Sequence, residues 1–403
     1  MSIIYKTSLL IIVAIMVVSC KEDPKQTPDP LVRALSANEA EVLDAANNFT
    51  FDLMTGVEAE FPEEKYFISS FSVSTAISMV MNGASGESQD QFRQALQLDG
   101  MSPEAINEAY SSLVQYIYGL DPTVTLNVAN STWYSEEYTI EDSFVNTLQE
   151  YYQAEIFERD FAKSATLDAL NGWVETETNG KIRNILDTIS PEEVMFLINA
   201  IYFKAIWTNP FDANETSDQP FFIENNQSVD VPMMSGEVKH WMAYDSQLET
   251  QLIEIPYGNE NYAFTILMPD DPADVDGLVS RIDVTQLNAV LVDSSTVIRE
   301  LNLPKFQLAF KTDLKNVLVE MGMPVAGLDN LFVEDLPLAI SKVIHQSFLE
   351  VNEEGSEAAA ATVIGIELTS LPASTNVNQP FVFLIRERNS GTILFSGKLR
   401  DPR

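Results

Sequence analysis

Residues 194–207, VMFLINAIYFKAIW, constrain the fold most strongly. Lys204 is the one charge in the run, and the apolar residues do not alternate with polar ones. A half-exposed strand would alternate, so this run reads as a central strand covered on both faces. Such a strand needs layers on each side, which calls for a large mixed domain. A chain of 403 residues with 45% hydrophobic content can supply that core, and wholesale disorder is excluded.

The flanking patterns fill in an α+β arrangement. Leu43, Ala46, Phe49 and Leu53 recur at helical spacing over 38–55, with Ser36 or Asn38 as cap. Residues 72–84 form a second helix, apolar nearly all round and therefore buried, with Gly83 at its end. Short helices follow through about 118. Residues 123–135 alternate as a strand, and EDSFVNTLQEYY and LDALNGWVETET read as helices. Beyond the central run come strands at 219–234, 238–256 and 262–268, a helix near 278–291, strands at 296–311 and a helix at 312–321. FVFLIRERNSGTILFSGKLRDP is a hairpin turning at Arg388-Asn389-Ser390-Gly391. Helices cluster early and strands late, as in α+β folds.

The first residues read as a targeting segment. Lys6 precedes the apolar stretch LLIIVAIMVV, too short for a stable membrane span, and VVSC follows with Cys20 as the only cysteine. This resembles a bacterial lipobox. The expected organisation is a signal peptide at 1–19, lipidated Cys20 with a Pro-rich tether to residue 35, and one domain from 36 to 403. The acidic pair after Cys20 resembles signals that send lipoproteins to the outer cell surface. The expected location is a lipid anchor on a bacterial outer membrane, cell-surface exposed or otherwise periplasmic. A formal net charge of −37 argues against nucleic acid as a partner, and against membrane contact other than through the lipid.

The residues of common catalytic sites are scarce. With two histidines, His240 and His345, and no cysteine beyond Cys20, neither a Cys/His metal site nor a thiol nucleophile is expected. No nucleophile elbow, P-loop or dinucleotide turn is present. The chain does not read as an enzyme, and no cofactor or metal is expected. His345 sits in an alternating apolar run and reads as a buried structural histidine.

Residues 353–365, EEGSEAAAATVIG, pose a separate problem. Their propensity is helical, yet they lie between a strand-like stretch and an exposed loop. Read as a strand, Ser356, Ala358, Ala360, Thr362, Ile364 and Ile366 make an uncharged face with its small residues first. Glu357 and Glu367 fall on the other face. One face suits a packed interior and the other suits solvent.

NGWVETETNGKIRNIL (171–186), INAIYFKAIWTNPF (198–211), VPMM (231–234), EEGSEAAAAT (353–362) and the C-terminal hairpin, in that order, resemble the serpins. The resemblance runs from about residue 36 to the end. It implies three β-sheets, eight or nine helices and an exposed reactive loop at about 354–379. It also implies a suicide-substrate inhibitor. A protease acylates itself on the loop, the loop inserts into the central sheet, and the protease is carried about 48 Å at roughly 3.4 Å per residue. The implied hinge is Glu353, Glu354, Gly355, Ser356, Glu357, Ala358, Ala359, Ala360, Ala361 and Thr362. Family spacing puts the reactive bond at Thr369–Ser370, with Leu368–Thr369 next.

No Lys or Arg occurs from Gly355 to Gln379, so elastase-like, subtilisin-like or papain-like targets are expected and trypsin-like ones are not. Ser69, Ser72, Asn199 and His345 match the polar cluster where the central strands part, and Trp207 matches the tryptophan at the top of the sheet. Lys305 matches the partner of Glu353, which implies an ion pair. A monomer is expected. The family's S-P-x-S pattern is here Ser69-Ser70-Phe71-Ser72, and an upstream Asn appears as Lys65, which puts the local start of the second helix in doubt. The rival readings are a non-inhibitory serpin-fold binding, storage or chaperone module, and a lipoprotein hydrolase. The small hinge residues favour inhibition over the first, and the missing nucleophile motifs oppose the second.

Overall fold

The computed structural model describes residues 32–62, 65–223, 227–356 and 374–403. Cys20, the hinge residues Glu357 to Thr362, and Leu368, Thr369 and Ser370 lie outside the described residues. The helices are α1 (Ala37–Glu60), α2 (Ser70–Met81), α3 (Gly86–Ala95), α4 (Pro103–Gly119), α5 (Asp142–Tyr152), α6 (Ser164–Glu177), α7 (Val275–Arg281), α8 (Val284–Val292) and α9 (Lys315–Glu320). The strands of the first two-thirds are β1 (Tyr66–Ile68), β2 (Val124–Ser135), β3 (Glu155–Arg159), β4 (Met195–Ile206), β5 (Ser217–Ile223), β6 (Gln227–Asp245), β7 (Thr250–Tyr257) and β8 (Tyr262–Pro269). The rest are β9 (Ser295–Pro304), β10 (Phe306–Asp313), β11 (Ile344–Val351), β12 (Gly355–Ser356), β13 (Thr375–Asn376), β14 (Phe381–Glu387) and β15 (Ile393–Leu399).

Among the described residues the strands form two hydrogen-bonded sheets. One runs β10-β11-β12-β4-β2-β3; the other runs β1-β15-β14-β8-β7-β6-β9-β13, with β5 also on β6. The resemblance implies three sheets. The second and third are continuous here because β6 passes through both, pairing with β5, then β9, then β7 along its length. The apolar run 194–207 holds β4, which lies between β2 and β12; it is central as expected but not covered on both faces, since Ile198, Ala200 and Tyr202 are buried while the alternate residues are half-exposed. The core sits between the sheets. Phe67 stacks on Phe395 at 4.9 Å, and Phe203 of β4 meets Phe395 and Tyr262 edge-on, so each aromatic buries a large apolar area at the interface.

Several local expectations are refined. Ser36, not Asn38, caps α1, and Glu39 completes the capping box. α2 begins at Ser70 without a proline because the Ser69 hydroxyl accepts the Ser72 N–H at 3.2 Å and caps the helix. Two of its buried hydroxyls are satisfied within the helix, Thr75 donating to the Phe71 carbonyl at 2.7 Å and Ser78 to that of Ser74 at 2.9 Å. Lys65 donates to the Asp401 carbonyl at 3.1 Å, tying the segment before α2 to the C-terminus.

Gly83 does not end α2 by adopting a left-handed conformation. It is needed because Leu331 packs where a Cβ would stand, at 2.1 Å. The single helix expected near 278–291 is two. Ile282 is extended, and Asp283 starts α8 with its own capping box to Gln286. The strand expected over 238–256 is interrupted by a turn at 246–249, where Glu249 has φ of 49°.

Candidate functional site

β4 and β11 are neighbours in the six-stranded sheet, yet only the two residues of β12 lie between them. Ser356 pairs with Val351 on one side and Ala205 on the other, and Gly355 pairs with Ile206. Below that point no described residue occupies the strand position. The gap ends in a cavity of about 370 Å³ bordered by Met195 to Asn199 of β4, Val343 to His345, and α2.

The top of the gap is held by a dense polar knot. Trp207 is 1% exposed and stacks on Tyr257 at 4.5 Å with planes 7° apart. Its Nε1 donates to the Asn352 carbonyl at 2.9 Å, and its backbone N–H to the Glu354 carbonyl at 2.8 Å. The Asn352 side-chain oxygen accepts the Glu354 N–H at 3.1 Å. The hydroxyls of Tyr257 and Ser356 lie 2.6 Å apart. A Cβ on Gly355 would stand 2.0 Å from the Ala205 carbonyl oxygen, so only glycine allows β12 this close to β4.

Lys305 Nζ donates to Glu353 Oε2 at 2.9 Å, and Thr216 Oγ1 donates to Glu353 Oε1 at 2.9 Å. Burial alone would raise the Glu353 carboxyl's pKa. The Lys305 ammonium and the Thr216 hydroxyl outweigh it and hold that pKa below the ordinary value.

Midway down, a polar cluster spans from α2 to both strands. The Ser69 N–H donates to His345 Nε2 at 3.2 Å, and Ser69 Oγ donates to the Leu394 carbonyl at 2.8 Å. Ser72 donates to the Asn199 side-chain oxygen, and Asn199 Nδ2 donates to Asn130 Oδ1 at 2.7 Å. Burial lowers the His345 pKa to about 4, so the ring is neutral at pH 7. Since Nε2 accepts, the ring proton sits on Nδ1.

At the far end of the loop, Thr375 of β13 pairs in parallel with Leu301. Its hydroxyl lies 2.9 Å from His240 Nε2 and accepts from Arg299 Nε at 2.8 Å.

The structure therefore brings Ser69, Ser72, Asn199 and His345 into one cluster, and Glu353, Glu354, Gly355, Ser356, Trp207 and Lys305 into another. Sequence reasoning did not find Tyr257, Thr216, Asn130 or Asn352. Only Asn352 carried a local signal, as a polar residue at the end of an apolar strand. The other three come from distant segments. Among the described residues no group of His, Cys, Asp or Glu is placed to hold a metal ion.

Known proteins resemble this chain in sequence and in fold. A family model described as Serpin (serine protease inhibitor) matches residues 44–402. Human Serpin B11 is 33% identical over 391 residues, covering 89% of this chain and 99% of that protein. The leukocyte elastase inhibitor of Sus scrofa is 33% identical over 380 residues, covering 90% of this chain and 100% of that protein. Tengpin, a thermophilic serpin in its native state, superposes with a TM-score of 0.81 at 26% identity, covering 92% of this chain and 96% of that one. Human thyroxine-binding globulin in complex with thyroxine gives a TM-score of 0.83 at 26% identity, covering 91% and 100%. The chain belongs to the serpin family.

Proposed function

We propose that this protein is a suicide-substrate inhibitor of endopeptidases, and that the exposed-loop form is its active state. The observation that carries the reading is β12, a two-residue strand seated between β11 and β4 at the top of a strand position that no other described residue occupies. Its register can be continued downward. Ala358 would then face Phe203 and Leu349, Ala360 would face Ile201 and Ser347, and Thr362 would face Asn199 and His345. Ile364 would face Leu197 and Val343. Alanines would thus meet the bulky residues, a hydroxyl the polar cluster, and the isoleucines the cavity. Burying Ile364 and Ile366 contributes roughly 3–6 kcal/mol together.

The mechanism follows from those contacts. A protease nucleophile attacks the Thr369 carbonyl, the amine of Ser370 leaves, and the acyl-enzyme forms. The freed N-terminal arm then zips down the gap from Ser356. The attached protease moves about 48 Å at roughly 3.4 Å per residue. A displacement of its catalytic groups by about 1 Å can cost about 100-fold in rate, so deacylation stalls. Leu368–Thr369 is the alternative bond. The lack of Lys and Arg in the loop favours elastase-like, subtilisin-like or papain-like proteases over trypsin-like ones. The similarity to leukocyte elastase inhibitors supports the first class. The apolar stretch ending in VVSC supports a lipid tether at Cys20, and the acidic pair after it a place on the outer surface of a bacterial outer membrane, with the periplasmic side as the alternative; the inhibitor would act there as a monomer.

The test mixes residues 31–403 with pancreatic-type elastase, subtilisin, papain and trypsin in turn. A complex that survives denaturing electrophoresis with a protease other than trypsin, and a released fragment starting at Ser370, is expected. Loop cleavage with neither a complex nor a gain in thermal stability would refute the reading.

A further inference from the structure

The cavity at the lower end of the gap is larger than packing requires. Protein interiors rarely leave voids much larger than a water molecule, and an apolar cavity of about 150 Å³ is already enough to bind benzene. This one measures about 370 Å³. Its walls come from α2 (Ala76, Ile77), β4 (Met195, Leu197) and the segment before β11 (Ile340), with Met323 beside them. One polar group in this wall has spare capacity. His345 lines the cavity, its Nε2 is taken by the Ser69 N–H, and its Nδ1–H makes no hydrogen bond among the described residues.

The rim excludes anions. Glu192 borders the cavity with its carboxylate held by the Ser190 hydroxyl, and its pKa is lowered, so it is charged at neutral pH. Lys342, the cation at the rim, is already paired with Glu193 at 2.6 Å. A carboxylate ligand would meet a negative mouth and no free cation.

We propose that this cavity is a binding site for a neutral, apolar small molecule of about two aromatic rings that carries one hydrogen-bond acceptor for the His345 Nδ1–H. The volume sets the size, the aliphatic and thioether walls set the apolarity, the histidine sets the single acceptor, and Glu192 sets the neutrality. A consequence rests on the inhibitor reading. Ile364 and Ile366 would come to the same space on insertion, so ligand and inserted loop exclude each other. The ligand then binds only the uninserted state, and it diverts the reaction from trapping to simple cleavage.

Benzophenone fits the description and crosslinks on irradiation, with a preference for methionine, so it reports its own position. The full chain is irradiated with increasing benzophenone, digested and mapped by mass spectrometry. Saturable labelling at Met195 and Met323 is expected. It should fall at least tenfold in Ala76→Phe, and likewise in Val80→Phe, a second cavity-filling variant in case the first does not fold. Labelling that does not saturate, that maps away from these methionines, or that persists in both folded variants would overturn the proposal.

A second arm uses chain cleaved in the loop. If cleavage raises the thermal midpoint, insertion has occurred and labelling should disappear; labelling that persists overturns the site. If cleavage brings no thermal gain, it is the inhibitor reading that fails, and labelling of the intact chain and its loss in the filled variants still decide the cavity. With insertion established, saturating benzophenone should raise the number of inhibitor molecules consumed per protease trapped.

Discussion

Replacing Ser356 by arginine separates the resting fold from the trapping reaction. Ser356 is 1% exposed, lies between Val351 and Ala205, and bonds the Tyr257 hydroxyl at 2.6 Å. A guanidinium held there would face two aliphatic side chains and a phenol. An uncompensated buried charge costs about 3–5 kcal/mol. The resting protein has a cheaper escape, because Gly355 and Ser356 can leave the sheet. That forfeits the Tyr257 bond and a few ladder bonds at about 1 kcal/mol each. The thermal midpoint should therefore drop by only a few degrees. After cleavage there is no such escape, since every deeper pair requires Ser356 to be seated first. A barrier raised by about 3–5 kcal/mol slows insertion by about two to four orders of magnitude. The acyl-enzyme then hydrolyses before it is trapped. Denaturing gels with elastase should show cleaved S356R and no complex, and thermal scans should show no gain after cleavage. S356A, which loses the hydroxyl but adds no charge, should still form complex. A wild-type yield of complex from S356R would refute the reasoning.

Three further outcomes follow from the same geometry. The Lys305 side chain is 43% exposed, so its pair with Glu353 should couple by less than about 1 kcal/mol in a K305M/E353Q double-mutant cycle, less still in high salt; a larger, salt-insensitive coupling would contradict the exposure. His345 is held at a pKa of about 4 against 6.5 when unfolded, so below pH 6.5 the unfolded chain binds a proton that the native one refuses. Stability should then fall by about 3 kcal/mol between pH 6.5 and 4 relative to H345Q, read from urea midpoints at both ends, and parallel pH profiles would exclude a buried neutral ring. Gly355→Ala puts a Cβ 2.0 Å from the Ala205 carbonyl oxygen. It should push β12 away from β4 at a cost of about 1–3 kcal/mol and change the fluorescence of Trp207, whose Nε1 bonds the carbonyl of Asn352, just before the hinge; an unchanged spectrum and midpoint would show that the contact is not this close.

Much of this architecture was legible in the order of residues because its causes are local. The run 194–207 marked a central strand, and β4 is one, but only one of its faces is buried (Ile198, Ala200, Tyr202); the other is half-covered and Ile206 is exposed. Ser36 and Glu39 carried the start of α1 in their spacing, and the alternation of the C-terminal hairpin carried both of its strands. Where the sequence misled, the cause was either a short local break or a contact with something distant. The pattern over 278–291 looked like one helix because Ile282 and Asp283 interrupt its apolar spacing by so little. Gly83 was legible as the end of α2, but not the approach of Leu331, from far along the chain, whose Cδ2 would stand 2.1 Å from a Cβ there.

The site divides along the same line. The alternating faces of residues 356–366, the small hinge residues and the lack of basic residues up to Gln379 are properties of the chain itself; the resemblance to serpins turned the first two into a strand that inserts and the last into a choice of protease. Nothing in the sequence says that Gly355 and Ser356 are already seated between β4 and β11, that Tyr257 meets Ser356, or that a cavity of about 370 Å³ lies lower between these strands beside His345. Those facts depend on how far apart two strands stand after every helix and sheet around them has packed. Strand separation is a sum over the whole core, and no local window of residues encodes it.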